Sequence, residues 1–386
     1  MNTRFTQKLF MVCAVWIFYI LTGASLYGQE EESKSALEFK GDFRFRIEHD
    51  WKSRRSDGSY RTDRSRLRFR ARWGFDYTIN EKFSFGARIR TGNINDQQGP
   101  HLTLGGSDAE FGLYQIAFDQ AYFNYTTGRF KFMFGKYSFP FMKQDEIFWN
   151  DNVNPDGVAI KYDLYSSERI KDVKLVAAHF ISNANGSTFD KDAYMQAIQL
   201  SGKIEKFRSK AYLSFYAFRN MSNIPDGKGS YLLDYSVINL GSTFYPIQNF
   251  DLELGFELFS NAEDYSSHAD VPDHLKDERF AYVLNLGYGK KGKKNNTFVR
   301  LSYAHMDKFA IVDYFAQNDW ARWDYSSAGA AGSRLTNFEG LELRVDYYLE
   351  DNMQLVFRAY TVEQLVTTAD FTETGLRVRL DLDMNF

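Results

Sequence analysis

The sequence predicts an all-β chain: a transmembrane antiparallel up-and-down β-barrel of about 16 strands, with short periplasmic turns and long external loops. Three observations carry this expectation. Beyond residue 36 no segment sustains an apolar period of 3.6, whereas alternation with period 2 recurs throughout. Within the alternating runs one face is oily and the other ionic. The connections between runs are tight and long by turns, as in an up-and-down sheet whose two ends differ.

Composition narrows the class. In 386 residues, 36 Phe and 25 Tyr stand against only 6 Pro, which excludes a disordered chain. A mean hydropathy of -0.46 excludes a polytopic helical membrane protein. The formal net charge of -3 gives no reason to expect nucleic acid as a partner.

At the N-terminus, Arg4 and Lys8 precede an apolar run over 9–21, too short for the roughly 20 residues of a spanning helix. Small residues Gly23, Ala24, Ser25 and Gly28 follow. The expected organisation is a signal peptide over 1–28 cleaved near 24 or 28, a short segment over 29–36, and one barrel over 37–386. Cys13 is the single cysteine and lies in the leader, so the mature chain would carry no disulfide and no thiol catalyst.

From Phe39, apolar Phe43, Phe45 and Ile47 alternate with Asp42, Arg44, Arg46 and Glu48. Over 64–77, Leu67, Phe69, Ala71, Trp73 and Phe75 share one face, and Arg64, Arg66, Arg68, Arg70 and Arg72 the other. Further runs lie near 83–91, 114–126, 129–137, 157–164, 173–182, 194–204, 210–219, 235–245, 250–259, 280–288, 297–305, 341–349, 353–363 and 375–386. A soluble sandwich would turn its oily faces inward and its charges to bulk water. A membrane barrel inverts this, and closure is the β solution that leaves no backbone group unpaired in lipid. In the last run Leu376, Val378, Leu380, Leu382 and Met384 alternate with Arg377, Arg379, Asp381 and Asp383, and the chain stops at Phe386. A terminal aromatic closing an amphipathic strand resembles the assembly signal of outer-membrane barrels.

The segments RSRLRFRARWGFDYTINEKFSFGARIRTGN, FDQAYFNY, GRFKFMFGKYSFPF and IFWNDNVNPDGVAIKYD, over roughly residues 60–165, resemble the family of putative porins of Bacteroidota. The resemblance implies a water-filled outer-membrane channel and names no solute.

Catalytic chemistry finds little support. His49, His101, His179, His268, His274 and His305 are scattered, and a solvated acidic loop accounts for His268 and His274 beside Asp264, Asp270 and Asp273 better than a metal site does. The reading is therefore no enzyme, no cofactor and no metal. The chemical signal is segregated charge. Arg44, Arg46, Arg64, Arg66, Arg68, Arg70, Arg72, Arg88 and Arg90 should line the lumen. Closure would add Arg377 and Arg379, while Asp251, Glu253 and Glu257 would form an acidic wall about half-way round. Equally, the arginines would serve only to solvate a wet lumen, paired with Asp42, Asp76, Asp381 and Asp383. The third long loop, 138–156, is expected to fold inward as a constriction. Phe139 and Phe141 would pack on the wall there, with Lys143, Asp145, Glu146 and Asp151 turned to the lumen.

The function expected is a porin for passive diffusion of small hydrophilic solutes, leaning towards anions, in the outer membrane of a Gram-negative bacterium. The alternative is a non-transporting adhesin or receptor displaying loops such as 306–340, with Phe309, Tyr314, Phe315, Trp320, Trp323 and Tyr325 as ligand-binding aromatics. Expected partners are outer-membrane lipid, small hydrophilic solutes or anions, and the barrel-assembly machinery. A homotrimer is the oligomer held open, and no nucleic acid is expected.

Overall fold

The structure is a computed structural model and describes residues 36–106, 110–184, 188–222, 231–247, 249–320, 335–367 and 369–386. The leader expected over 1–28 lies outside these residues.

The alternating runs form strands β1 (Ala36–Arg54), β2 (Arg64–Thr78), β3 (Phe83–Thr91), β4 (Leu102–Thr103), β5 (Ile116–Thr127), β6 (Phe130–Lys136), β7 (Asp156–Tyr165), β8 (Ile170–Asn183) and β9 (Ala193–Ile204). The second half supplies β10 (Ser209–Ser222), β11 (Leu232–Phe244), β12 (Leu252–Asn261), β13 (Phe280–Gly289), β14 (Thr297–Met306), β15 (Phe338–Glu350), β16 (Met353–Gln364) and β17 (Thr374–Asn385). β4 is a two-residue ribbon inside the second long loop, paired to Arg68 and Phe69 of β2. The other sixteen pair antiparallel with their sequence neighbours, and β17 pairs with β1, so the sheet closes on itself. Tight turns such as 79–82, 128–129 and 351–352 gather at one end, and long loops such as 137–155 and 262–279 at the other.

The polarity of the wall is inverted relative to a soluble protein. Phe39 is 58% exposed and Trp73 51%, whereas Arg46 and Glu48 on the opposite face of β1 are buried. Aliphatic side chains such as Leu213, Leu240, Leu284, Leu301 and Leu343 occupy the middle of the outer face. Towards the tight turns the outer face becomes aromatic, with Phe83 stacked on Tyr125 at 4.9 Å and Phe130 on Tyr162 at 4.4 Å. A second set, Tyr282, Tyr303 and His305, lies near the long-loop end. An aliphatic band between two aromatic girdles is the lipid-facing pattern of a membrane barrel.

Closure ends at the C-terminus. The Phe386 N–H donates to the Gly41 carbonyl at 3.0 Å, and the Gly41 N–H donates to the Phe386 carbonyl at 2.8 Å. The Phe386 ring lies over Gly41, where any Cβ would collide with it. Deleting Phe386 removes both bonds and the ring contact, so the yield of heat-modifiable, folded barrel in membranes should fall. An unchanged yield would show that the terminal aromatic is incidental to closure.

Candidate functional site

The inner faces of β17, β1 and β2 meet as a lattice of charge. Reading across β17 and β1, Asp383 faces Arg44, Asp381 faces Arg46, Arg379 faces Glu48 and Arg377 faces Asp50. Every facing pair is of opposite sign. Arg46 donates through Nε and Nη2 to Asp381 at 2.6 and 3.1 Å, and Arg44 makes the same two-point contact with Asp383. Across β1 and β2, Arg72 and Arg70 both bond Asp42 at 2.6 Å, Arg64 reaches Asp50 at 3.0 Å, and Arg66 pairs with Glu48. Planar guanidinium groups suit such paired contacts, because each offers two parallel donors to one carboxylate.

The partners differ in part from those read in the sequence. Asp42, Asp381 and Asp383 do pair with arginines, but Asp76 instead takes Lys40 and the Tyr122 hydroxyl. Three further carboxylates come from Glu48, Asp50 and Asp119. A register shift between Arg88 and Ile89 turns both Asp119 and Gln120 inward, and Arg88 donates to Asp119 at 2.7 Å while Arg90 lies 3.5 Å from it. The seventh carboxylate, Asp319, belongs to no strand. It comes from the loop after β14 and bridges Arg377, at 3.0 Å, and Arg379.

The described part of that loop packs inward. Phe309, Phe315 and Trp320 are buried inside the barrel, and Trp320 stacks on Phe338 at 5.7 Å. They present no aromatic surface to a ligand outside; Trp323 and Tyr325 fall outside the described residues. Residues 307–320 and the loop 137–155 fold inward together. Asn150 N–H donates to the Phe315 carbonyl at 2.8 Å, Gln317 N–H donates to the Ile147 carbonyl at 3.1 Å, and Trp149 stacks between Phe139 at 4.4 Å and Phe315 at 4.7 Å.

The loop 137–155 crosses the barrel in steps that can be followed by its anchors. Phe141 and Phe148 pack on Tyr216 of β10. Gln199 of β9 clamps the backbone of Met142 at both its N–H (2.7 Å) and its carbonyl (2.8 Å). Gln144 reaches Thr243 of β11 at 3.1 Å, across the side-chain gap that Gly255 leaves on β12. Glu146 then lies 3.8 Å from Arg358 of β16, and Asn152 accepts from Arg70 at 3.4 Å. Lys143 is held by Asp151 at 2.5 Å. Burial pushes the Asp145 carboxyl above its ordinary value against the pull of Arg300. Burial also opposes ionisation of Glu146, but Arg358 and Lys143 outweigh it and hold that carboxyl below its ordinary value. His101, on the second long loop, is held neutral by burial and by Arg46, Arg70, Arg44 and Arg68.

The expected acidic wall needs correction. Asp251 lies outside β12, in the turn before it, 3.8 Å from Lys290. Glu253 is bonded by Lys291 at 3.2 Å and by the Tyr245 hydroxyl at 2.6 Å. Glu257 has no exposed surface and accepts from Tyr212 at 2.6 Å and Asn239 at 3.3 Å. These carboxylates point inward but are consumed locally, so no open acidic surface faces the arginines from β12.

Sequence reasoning missed a second arginine feature. Arg300, Arg344, Arg358 and Arg379 are directly opposed on four consecutive strands, β14 to β17. Like charges directly opposite are unfavourable. Here Glu342 stands within 3.5 Å of Arg300 and 3.2 Å of Arg358, and Asp346 within 2.7 Å of Arg344. β14, β15 and β16 each carry a single arginine, so only the register reveals the belt they form with Arg379.

At the long-loop end a cavity of about 510 Å³ is lined by Arg90, Asp96, Gln98, Lys136, Asn152 and Asn154 among others. Among the described residues no group of three or more His, Cys, Asp or Glu is arranged to hold a metal ion.

Closed strand order, inverted polarity and a charged interior narrowed by inward loops define the class: a porin-type outer-membrane β-barrel. Residues 57–234 match the model of the family described as "Putative porin". No curated protein matches the chain. Among solved structures the chain is similar to OprB of Pseudomonas putida, with 12% identity, a TM-score of 0.55, and 91% of this chain and 94% of that one covered. It is also similar to the outer membrane channel DcaP of Acinetobacter baumannii, with 11% identity, a TM-score of 0.54, and 94% and 100% covered. OmpT of Vibrio cholerae, in a form lacking loop L8, gives 10% identity, a TM-score of 0.51, and 91% and 99% covered. At these identities the likeness is one of fold.

Asp381 holds three arginines together, with Arg46 at 2.6 Å, Arg379 at 3.3 Å and Arg44 at 3.9 Å. Asp381→Asn leaves buried guanidinium charge uncompensated, which costs about 3–5 kcal/mol where a buried pair is broken. The urea midpoint of the folded band should therefore fall clearly. A midpoint equal to that of the unaltered chain would mean that the lattice does not stabilise the wall.

Proposed function

We propose that the chain forms a water-filled channel in the outer membrane of a Gram-negative bacterium, passing small hydrophilic solutes by diffusion with a preference for anions. The observation that carries the preference is the balance of the lattice. Eleven arginines, Arg44, Arg46, Arg64, Arg66, Arg68, Arg70, Arg72, Arg88, Arg90, Arg377 and Arg379, meet seven carboxylates within 4 Å among the described residues, leaving four positive charges in excess. Several of these inward side chains stay partly open to solvent, Arg64 at 31% and Arg66 and Arg88 at 20%. Wet, fixed positive charge concentrates anions within a Debye length of about 10 Å at 0.1 M salt. Arginine keeps that charge at any physiological pH.

The long loops would face outward and the tight turns and both termini the periplasm. In intact cells a membrane-impermeant thiol reagent should then label Asp270→Cys, on the loop 262–279, and spare Lys293→Cys, on the turn 290–296. The reverse pattern would contradict this topology.

Selectivity is tested at Arg72 and Arg88, which lie on the partly exposed side of the wall. Replacing both with Gln should shift the reversal potential of a bilayer-inserted barrel towards cations, and raised ionic strength should shrink that shift. An unshifted potential in a conducting variant would remove the arginines as the filter.

A further inference from the structure

The inner wall changes character towards the tight turns. On five consecutive strands, β6 to β10, a lysine stands on the inner face: Lys131, Lys161, Lys174, Lys203 and Lys210. The face follows from period-2 alternation, because Met133, Ala159, Val176, Ser201 and Tyr212, each two residues further from the turn on the same strand, are buried in the interior. All five lysines lie within four residues of a tight turn, at 128–129, 166–169 or 205–208.

Register sets their charges together. Lys131 directly opposes Lys161, and Lys203 directly opposes Lys210. Lys161 is also within electrostatic reach of Lys174, its diagonal neighbour on β8. Like charges so placed are unfavourable unless something answers them. Two carboxylates answer five ammonium groups: Asp163 lies 3.6 Å from Lys174, and Asp172 2.5 Å from Lys203. Among the described residues no Asp or Glu oxygen lies within 4 Å of Lys131, Lys161 or Lys210, and these three ammonium groups have no hydrogen-bond partner. The arginines differ. Each lumen arginine of β1 to β3 and of β14 to β17 stands within 4 Å of a carboxylate. Beneath the loop 137–155, Lys143 and the arginines of β14 to β16 meet an equal number of carboxylates. The lysines are also wet: Lys174 is 46% exposed and Lys203 41%, while Lys131 and Lys161 are half-buried.

We propose that this cluster is a binding station, at the tight-turn mouth of the channel, for compact dianions of the sulfate and phosphate type. The proposal rests on the channel reading and names a solute class for it. Directly opposed residues have Cβ atoms about 4.5–5.5 Å apart, so the flexible side chains of Lys131 and Lys161 can close on one anion, with Lys174 beside them. A compact dianion brings two negative charges to that point and offsets the repulsion of the opposed pair. A halide brings one and leaves half of it. An ammonium group is a point charge with three rotatable donors and adapts to a tetrahedral oxyanion, whereas the planar guanidinium groups of the other wall already hold carboxylates.

The test is block of chloride current through the full barrel in a planar bilayer. Sulfate and methanesulfonate are both tetrahedral, nearly equal in size, and differ by one charge. At equal ionic strength sulfate should reduce the KCl current at a several-fold lower concentration than methanesulfonate does. Lys131→Gln combined with Lys161→Gln removes an unfavourable opposed pair, so the variant should fold, and in it the half-blocking concentration of sulfate should rise several-fold. With Arg72→Gln and Arg88→Gln instead, the sulfate block should persist. Sulfate no more potent than methanesulfonate on the unaltered chain, or a block lost with those arginines and kept without the lysines, would overturn the station and leave the channel intact. Folded barrels that pass no KCl current would contradict the channel reading and the station with it.

Discussion

The pairing of β17 with β1 is the contact on which the rest of the structure depends. Without it the sheet has two open edges in a medium that cannot satisfy them. The backbone alone does not determine where these strands should meet, since a slide by two residues restores the same hydrogen bonds and keeps each side chain on its face. The charges remove that freedom. Asp383, Asp381, Arg379 and Arg377 run along β17 against Arg44, Arg46, Glu48 and Asp50 on β1. A two-residue slide would set Asp381 against Glu48 in one direction, or Arg379 against Arg46 in the other, in a buried wall where an uncompensated charge is costly. The same residues that close the barrel therefore also line its interior, so stability and lumen chemistry rest on one set of side chains.

Closure in turn makes the interior a place to be filled. The two inward loops fill much of it with an apolar cluster built around Phe141, Phe148, Trp149, Phe315 and Trp320. Their backbone and side-chain groups bond the wall at Gln199 and Thr243 and one another at Asn150–Phe315 and Gln317–Ile147, as buried groups require. Asp319 and Glu146 approach the arginine belt from opposite loops. The lumen is thereby divided into a basic side, where cations exceed carboxylates, and a mixed side beneath the loop 137–155, where they balance.

Much of this was legible before any coordinates. Strand number, the alternation of tight and long connections and the inward faces of Arg44, Arg46, Arg64, Arg66, Arg68, Arg70 and Arg72 follow from period-2 patterning and turn spacing, which are local properties. What stayed hidden depends on register or on distant contacts. Arg300, Arg344 and Arg358 each stand alone in their strands and become a belt with Arg379 only when three pairings are set side by side. Asp119 would read as one ordinary inward residue; the register shift opposite Ile89 is what turns Gln120 inward beside it. Asp319 sits in a loop whose aromatics read as readily for display as for burial, because hydrophobicity alone does not say which side of the wall a loop packs against. The acidic residues of β12 were placed on the correct face, but their consumption by Tyr212, Tyr245 and Lys291 was not visible.

The central claim is that the charge lattice borders an aqueous path and leaves it net positive. Single-channel recording of the unaltered barrel across a KCl gradient tests this most directly, at concentrations near 0.1 M where the Debye length of about 10 Å is comparable to the reach of wall charges. Discrete conductance steps with a reversal potential on the chloride side, relaxing towards zero as salt is raised on both sides, are the result this account predicts. Correctly folded barrels that give no conductance steps, or steps with a reversal potential on the potassium side, would contradict it.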